Sequence, residues 1–179
     1  MGDEVVNRRH MVLDIISRLP RKMLSLKDYD NMTEFVLYEL CHKNCFNFEK
    51  AAYFVDNPDF DCLKGVVGLC RSEACVDNVD IWKDPHSFST HMHDSPFNKK
   101  VRSLLRPSFQ RQNEKELDKK VINDIAQELA LSDPGYYSWN MKHDNHGLLV
   151  YERTYKEGDS CDIDYVLNGL SLLGFCPIF

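Results

Sequence analysis

Two stretches of the chain, residues 50–70 and 136–155, carry side chains that alternate with a period of two, and segments with apolar residues every three to four positions surround them. In the first ribbon Ala52 and Phe54 alternate with Ala51, Tyr53 and Val55. Asn57, Pro58 and Asp59 supply turn chemistry, and Leu63, Gly65, Val67 and Leu69 resume the alternation. Both faces of these strands are apolar, so the sheet is expected to have cover on each side. Gly65 and Gly68 mark a bulge or a close backbone approach. The second ribbon, 136–142 and 148–155, is rich in aromatic and branched residues and turns through His143, Asp144, Asn145, His146 and Gly147.

Helical spacing fills the rest. Val5, Val12, Ile16 and Leu19 share one face of a first helix that is expected to stop at Pro20, where a helix interior loses a donor and clashes. Ser25 and Asp28 resemble a cap for a second helix through Met32, Phe35, Val36 and Leu40 that ends near Asn44. Residues 72–94 show no clear period and are either a functional loop or an unrecognised element. Ser95 caps a helix with Pro96 at its first position. Phe97, Val101, Leu104 and Leu105 line one face as far as Pro107, and Lys99, Arg102 and Arg106 lie on the other. Asn113 and Glu116 open a fourth helix through Leu117, Val121, Ile125 and Leu129 that meets the breaker Asp133-Pro134-Gly135. A turn at 157–160 precedes a last helix carrying Ile163, Val166, Leu167 and Leu170. The expectation is a single α+β domain over 1–179 with a central antiparallel sheet and helices on both faces. Residues 1–45 form its N-terminal helices and 72–131 a variable helical middle.

This order of elements resembles the GAF-like family of small-molecule sensor domains. The residues that carry the resemblance are 51–56 with 63–69, then 136–141 with 147–152 leading into the helix from Asp162. It implies a pocket on one sheet face, roofed by the middle segment and binding a small effector.

Composition changes the picture little. A chain of 179 residues can bury a sizeable core without staples. The N-terminus lacks a secretory pattern and no apolar run spans a bilayer, which points to a cytoplasmic protein with no membrane association. The seven cysteines are then expected as reduced thiols, most of them small core residues. A net charge of −6 argues against nucleic acid as the main partner, yet residues 99–120 hold eight Lys/Arg against three Asp/Glu.

Several groups carry candidate chemistry. His91 and His93 flank Met92 and would face one side of an extended segment. With His143 or His146 from the second turn they could complete a zinc or non-haem iron site, the alternative being exposed polar residues of a loop and a turn. Cys41, Cys45, Cys62, Cys70 and Cys75 lack the short paired spacing of structural zinc sites. Cys41 adjoins His42, but helix neighbours point apart, so a thiolate nucleophile has poor support. Lys99, Arg102 and Arg106, with Lys119 and Lys120 nearby, could meet phosphates or an acidic partner, or form a solvated helix face. Trp82, Tyr136, Tyr137 and Trp139 suit a concave site as well as packing. Tyr53, Tyr137 and Trp139 are the expected ligand-binding residues. The leading expectation is a non-enzymatic, regulatory or sensor-like domain that binds a small molecule or a protein partner. The alternatives are a metal-dependent enzyme using the histidines and a small acidic interaction or inhibitor protein.

Overall fold

Both ribbons lie in one sheet of five antiparallel strands. In the computed structural model, residues 2–26, 31–74, 80–109, 115–153 and 163–176 are described. In chain order they form helices α1 (Gly2–Ser25) and α2 (Met32–Cys41), then strands β1 (Phe48–Asn57) and β2 (Cys62–Cys70). Helices α3 (Arg71–Ala74), α4 (Pro85–Asp94) and α5 (Pro96–Ser103) and the short strand β3 (Leu105–Arg106) follow. Helix α6 (Lys115–Glu128), strands β4 (Gly135–Asn140) and β5 (His146–Arg153), helix α7 (Ile163–Leu170) and a 3-10 turn at Ser171–Phe175 complete the described elements. The strand order β3-β2-β1-β5-β4 puts β1 at the centre, paired antiparallel with β2 and with β5.

The doubly apolar pattern of β1 is explained by two cores. Ala51, Tyr53 and Val55 join Leu149, α1 (Val12, Leu19), α2 (Phe35, Leu40), α4 (Phe88, Met92) and α7 (Val166, Leu170) on one side of the sheet. Ala52 and Phe54 join Leu148, Val150, α5 (Phe97, Val101) and α6 (Ile122, Ile125, Ala126) on the other. Each such large side chain removed from water contributes about 1.5–3 kcal/mol, which is what holds helices against both faces.

The glycines of β2 make the α5 layer possible. The β1–β2 register shifts between Tyr53 and Phe54, leaving Val66 as the extra residue of a bulge. A Cβ on Gly65 would stand 1.9 Å from the Val101 carbonyl oxygen, and one on Gly68 would stand 2.5 Å from Val101 Cγ2. The close approach lets Gly65 N–H donate to Leu104 O at 3.0 Å and Gly68 N–H donate to Asn98 Oδ1 at 2.9 Å. On the opposite core, Arg71 fixes the turn from α2 into β1. Its Nη2 donates to Cys41 O, Asn47 Oδ1 and Phe48 O at 2.8–3.0 Å.

The structure departs from the sequence expectation at two places and fills the stretch left open at 72–94. Helix α1 runs through Pro20 to Ser25, because Leu19 and Met23 on either side of the proline are buried and their packing outweighs the lost hydrogen bond. Ser25 therefore ends a helix instead of capping one, and α2 begins behind Asn31 and ends at Cys41, short of Asn44. Within 72–94 lies α4, whose buried residues are only Phe88 and Met92, too sparse to show a period. Its signal is the pair Asp84-Pro85, in which the Asp84 carboxylate accepts from Ser87 N–H. Helix α5 starts where expected, with Ser95 Oγ accepting from Asn98 N–H, but stops at Ser103. Arg106 thus sits on β3 and not on the face shared by Lys99 and Arg102. Asp28, Cys75, Asn113, Tyr155 and the turn at 157–160 lie outside the described residues.

Gly65→Ala is expected to lower stability by about 3 kcal/mol, since backbone on both sides must move, while Gly174→Ala, whose nearest contact would be 3.7 Å away, changes it by less than about 0.5 kcal/mol. Urea unfolding of the two variants measures the difference.

Candidate functional site

Three regions gather polar or aromatic side chains in a non-trivial way. The first is the junction of α2, α4 and α5. Glu34 occupies a core position of α2 and is 3% exposed, and Asn98 on α5 is completely buried. Asn98 Nδ2 donates to Glu34 Oε1 at 3.0 Å and to Met92 O at 2.8 Å. Burial pushes the Glu34 carboxyl above its ordinary range, opposed by hydrogen bonds from Asn98 and Asn31 and by the Arg102 guanidinium 3.6 Å away. Glu73 closes the same junction. Its carboxylate accepts from Ser95 Oγ and from Phe97 N–H, and its carbonyl oxygen lies 2.5 Å from His91 Nε2. Neither Glu34 nor Asn98 stood out in the sequence. The only signal was a carboxylate inside the apolar run Met32–Cys41.

The second region is the aromatic face formed by β1, β4 and β5. Tyr53 is fully buried, its ring stacked 5.6 Å from Trp139 and its hydroxyl donating to Met141 Sδ at 3.5 Å. Tyr137 stacks on Tyr151 at 5.3 Å and Tyr151 on Phe48 at 4.3 Å, with the Arg153 guanidinium over both Tyr151 and Phe48 and Nη2 donating to the Tyr137 hydroxyl. The structure does bring Tyr53, Tyr137 and Trp139 to one sheet face, as packed rings. Trp82 lies elsewhere, donating to Glu39, which also receives Lys22 Nζ.

The third region is the free edge of β4. Trp139 and Tyr137 point into the core, whereas Tyr136, Ser138 and Asn140 are exposed. Met141 N–H donates to Asn145 O, and from that pair the antiparallel alternation turns the N–H and C=O of Tyr136, Ser138 and Asn140 away from β5. Beside this edge Tyr136 and Ser138 line a small cleft with Phe109, Val121, Ile122 and Leu148, about 10 Å³ in volume. Among the described residues nothing pairs with the outer edge of β4.

The histidines are not assembled. His91 and His93 lie on helix α4, where residues two apart point to different sides, so the shared face expected of an extended segment does not form. His91 sits by Glu73, at the sheet end where Lys50 pairs with Cys70. His146 pairs with Asp56 at the other end, six residues along β1 and so about 20 Å away. No group of three or more His, Cys, Asp or Glu among the described residues could hold a metal ion. His143 and Asp144 instead take positive φ, 60° and 55°, as the central residues of a type I′ turn closed by Asn145 N–H to Lys142 O. Burial raises the Cys41 thiol and lowers the neighbouring His42, directions opposite to those that activate a thiolate beside an imidazolium. The Cys176 thiol is pushed up to about 12 for the same reason.

The basic residues meet carboxylates of their own chain: Lys99 with Asp94 at 3.1 Å, Arg102 with Glu34, and Arg106 with Glu128 at 2.5 Å and Asp124 at 3.9 Å. A phosphate would have to displace these partners. No helix among the described residues is long and apolar enough to cross a membrane. No family model matches the chain, and no match to it was found among curated proteins or solved structures.

Two outcomes follow from these surroundings. Because the folded Glu34 pKa is raised, its contribution is fully present below the ordinary value of 4.5 and is lost as pH rises through the folded value. Glu34→Gln, which keeps an acceptor for Asn98, is therefore expected to gain stability relative to the parent as pH rises from about 4 to 7. Glu34→Ala, which leaves the Asn98 donor unpaired, loses about 1–3 kcal/mol. Urea midpoints across that range test both. Replacing His143-Asp144 with Asn-Gly, the residues a type I′ turn favours, raises stability by about 1 kcal/mol in the same assay, whereas a ligand role for His143 would cost stability and metal.

Proposed function

We propose that this chain is a non-catalytic binding domain that takes up an extended protein segment by adding it as a strand to β4. The observation that carries the reading is the outer edge of that strand, which no described residue pairs with. Sheets protect their edges with short strands, charge, proline or a covering element. The far edge has all but the proline: β3 is two residues long, carries Arg106, and leaves the rest of β2 to be capped by α5. Strand β4 has six residues, Gly-Tyr-Tyr-Ser-Trp-Asn, with no charge and no proline. Its outward N–H and C=O groups at Tyr136, Ser138 and Asn140 form a ladder in need of a partner, and the cleft by Tyr136 offers a shallow place for one side chain.

The volume of the cleft supports the same reading. About 10 Å³ accommodates a single water molecule, against roughly 300–1,000 Å³ for a typical small-molecule site. A ligand that supplies backbone hydrogen bonds needs no such enclosure.

Selection of random peptides displayed on phage tests the proposal. Enriched peptides are expected to protect the Tyr136, Ser138 and Asn140 amides from hydrogen exchange, and to bind Ser138→Pro at least tenfold more weakly, because proline removes an outward donor without touching the β5 ladder. Peptides that bind the Ser138→Pro variant equally well and protect other amides would refute it.

A further inference from the structure

Resting on the reading of β4 as a docking edge, we infer that its occupant is β4 of a second copy of this chain, joined antiparallel about a twofold axis through Ser138. Homo-oligomers with one twofold axis use a single self-complementary patch, so the test of the idea is whether the strand matches itself when reversed.

It does so at four levels. The outward-facing backbone groups belong to Tyr136, Ser138 and Asn140. Reversal about Ser138 sets Ser138 against Ser138 and Tyr136 against Asn140, so every outward donor meets an outward acceptor in a hydrogen-bonded pair. The intervening non-hydrogen-bonded pairs, where side chains come closest, then place Tyr137 opposite the second copy's Trp139 on each side of the axis. Both rings are half-buried and turned to the same face. The ladder ends where it should, since Pro134, which has no N–H, faces the second copy's Lys142.

Charge is the fourth level. Asp133 and Lys142 flank the uncharged strand at its two ends, both exposed and neither in an ion pair among the described residues. The twofold axis sets the strand end next to Asp133 in one copy against the end next to Lys142 in the other, twice. A parallel arrangement would instead set like charges together at each end. The result is a continuous ten-stranded sheet built from two five-stranded ones, with no open edge left on β4.

Sedimentation velocity of the full chain, from micromolar to near-millimolar concentration, measures the association. The parent is expected at the mass of two chains. Ser138→Pro and, as a second variant that leaves the backbone donor in place, Tyr136→Lys are each expected to weaken dimerisation at least tenfold while retaining the parent's far-ultraviolet circular dichroism and a cooperative urea transition. Ser138→Cys tests the register, because a residue on the axis meets its own copy. Under mild oxidation it should form a covalent dimer faster than Phe60→Cys, which is more exposed, at 81%, but remote from the axis. A parent that stays at one-chain mass throughout overturns the inference, as does a dimer indifferent to both edge variants. If the parent is a monomer and peptides sensitive to Ser138→Pro still bind, only the identity of the occupant falls. If neither association is seen, the docking edge falls with it.

Discussion

Asn98 is the group on which the arrangement of layers depends. It is fully buried, and its amide makes contacts to three different elements: it accepts from Gly68 N–H on β2, and donates to Glu34 on α2 and to the Met92 carbonyl that ends α4. Each net contribution is about 1 kcal/mol, but losing the amide would strand the Gly68 N–H donor and take one partner each from Glu34 and the Met92 carbonyl, and that asymmetry makes the residue hard to replace. No apolar side chain of similar size can serve there. The site also explains why Glu34 is tolerated inside a helix face that otherwise packs against the sheet: it is the acceptor that Asn98 requires. The resulting strain on its charge is offset by Asn31 and by Arg102 at the surface.

The same amide determines which edge of the sheet is closed. Through Gly68 and through Leu104 accepting from Gly65, α5 acts as a substitute strand along β2, and the bulge at Val66 and the two glycines bring it near enough. Closing that edge consumes the buried polar residues of the α5 layer. At the opposite edge α6 covers the face of the sheet through Ile122 and Ile125 but contributes no backbone partner to β4. Among the described residues the sheet is asymmetric in this respect, with one edge finished by its own chain and the other left without a backbone partner.

The sheet was legible in the sequence because period-two alternation over β1 and β5 is long and the turn residues are chemically distinctive. Cover on both faces followed from the apolar character of Ala51, Ala52, Tyr53 and Phe54. Gly65 and Gly68 announced the close approach, though not what approaches. Helix α4 was hidden because only Phe88 and Met92 face the core, and with it went the geometry of His91 and His93, which depends on whether residues two apart share a side. Pro20 misled for a different reason: the local rule against proline in a helix is worth a few kcal/mol, and tertiary burial of Leu19 and Met23 exceeds it. That β4 lies at the edge of the sheet could not be read at all, since strand order, which decides whether β4 is central or terminal, is a property of long-range pairing and not of the strand's own residues.

The aromatic packing behind β4 bears on how well that edge can bind. Trp139 is held by its stack on Tyr53, and Tyr137 by the column through Tyr151 to Phe48 with Arg153 over it. These contacts fix the side chains on one face of β4, while the β5 ladder and the I′ turn at His143-Asp144 fix its backbone. An arriving strand therefore meets a backbone that is already ordered, and most of the ordering cost falls on the incoming segment. Were the incoming segment another β4, its backbone would be ordered in the same way, and the ordering cost would be limited to exposed side chains such as Tyr136 and Asn140 and to association itself. A rigid, self-matching edge thus gains most from a partner identical to itself.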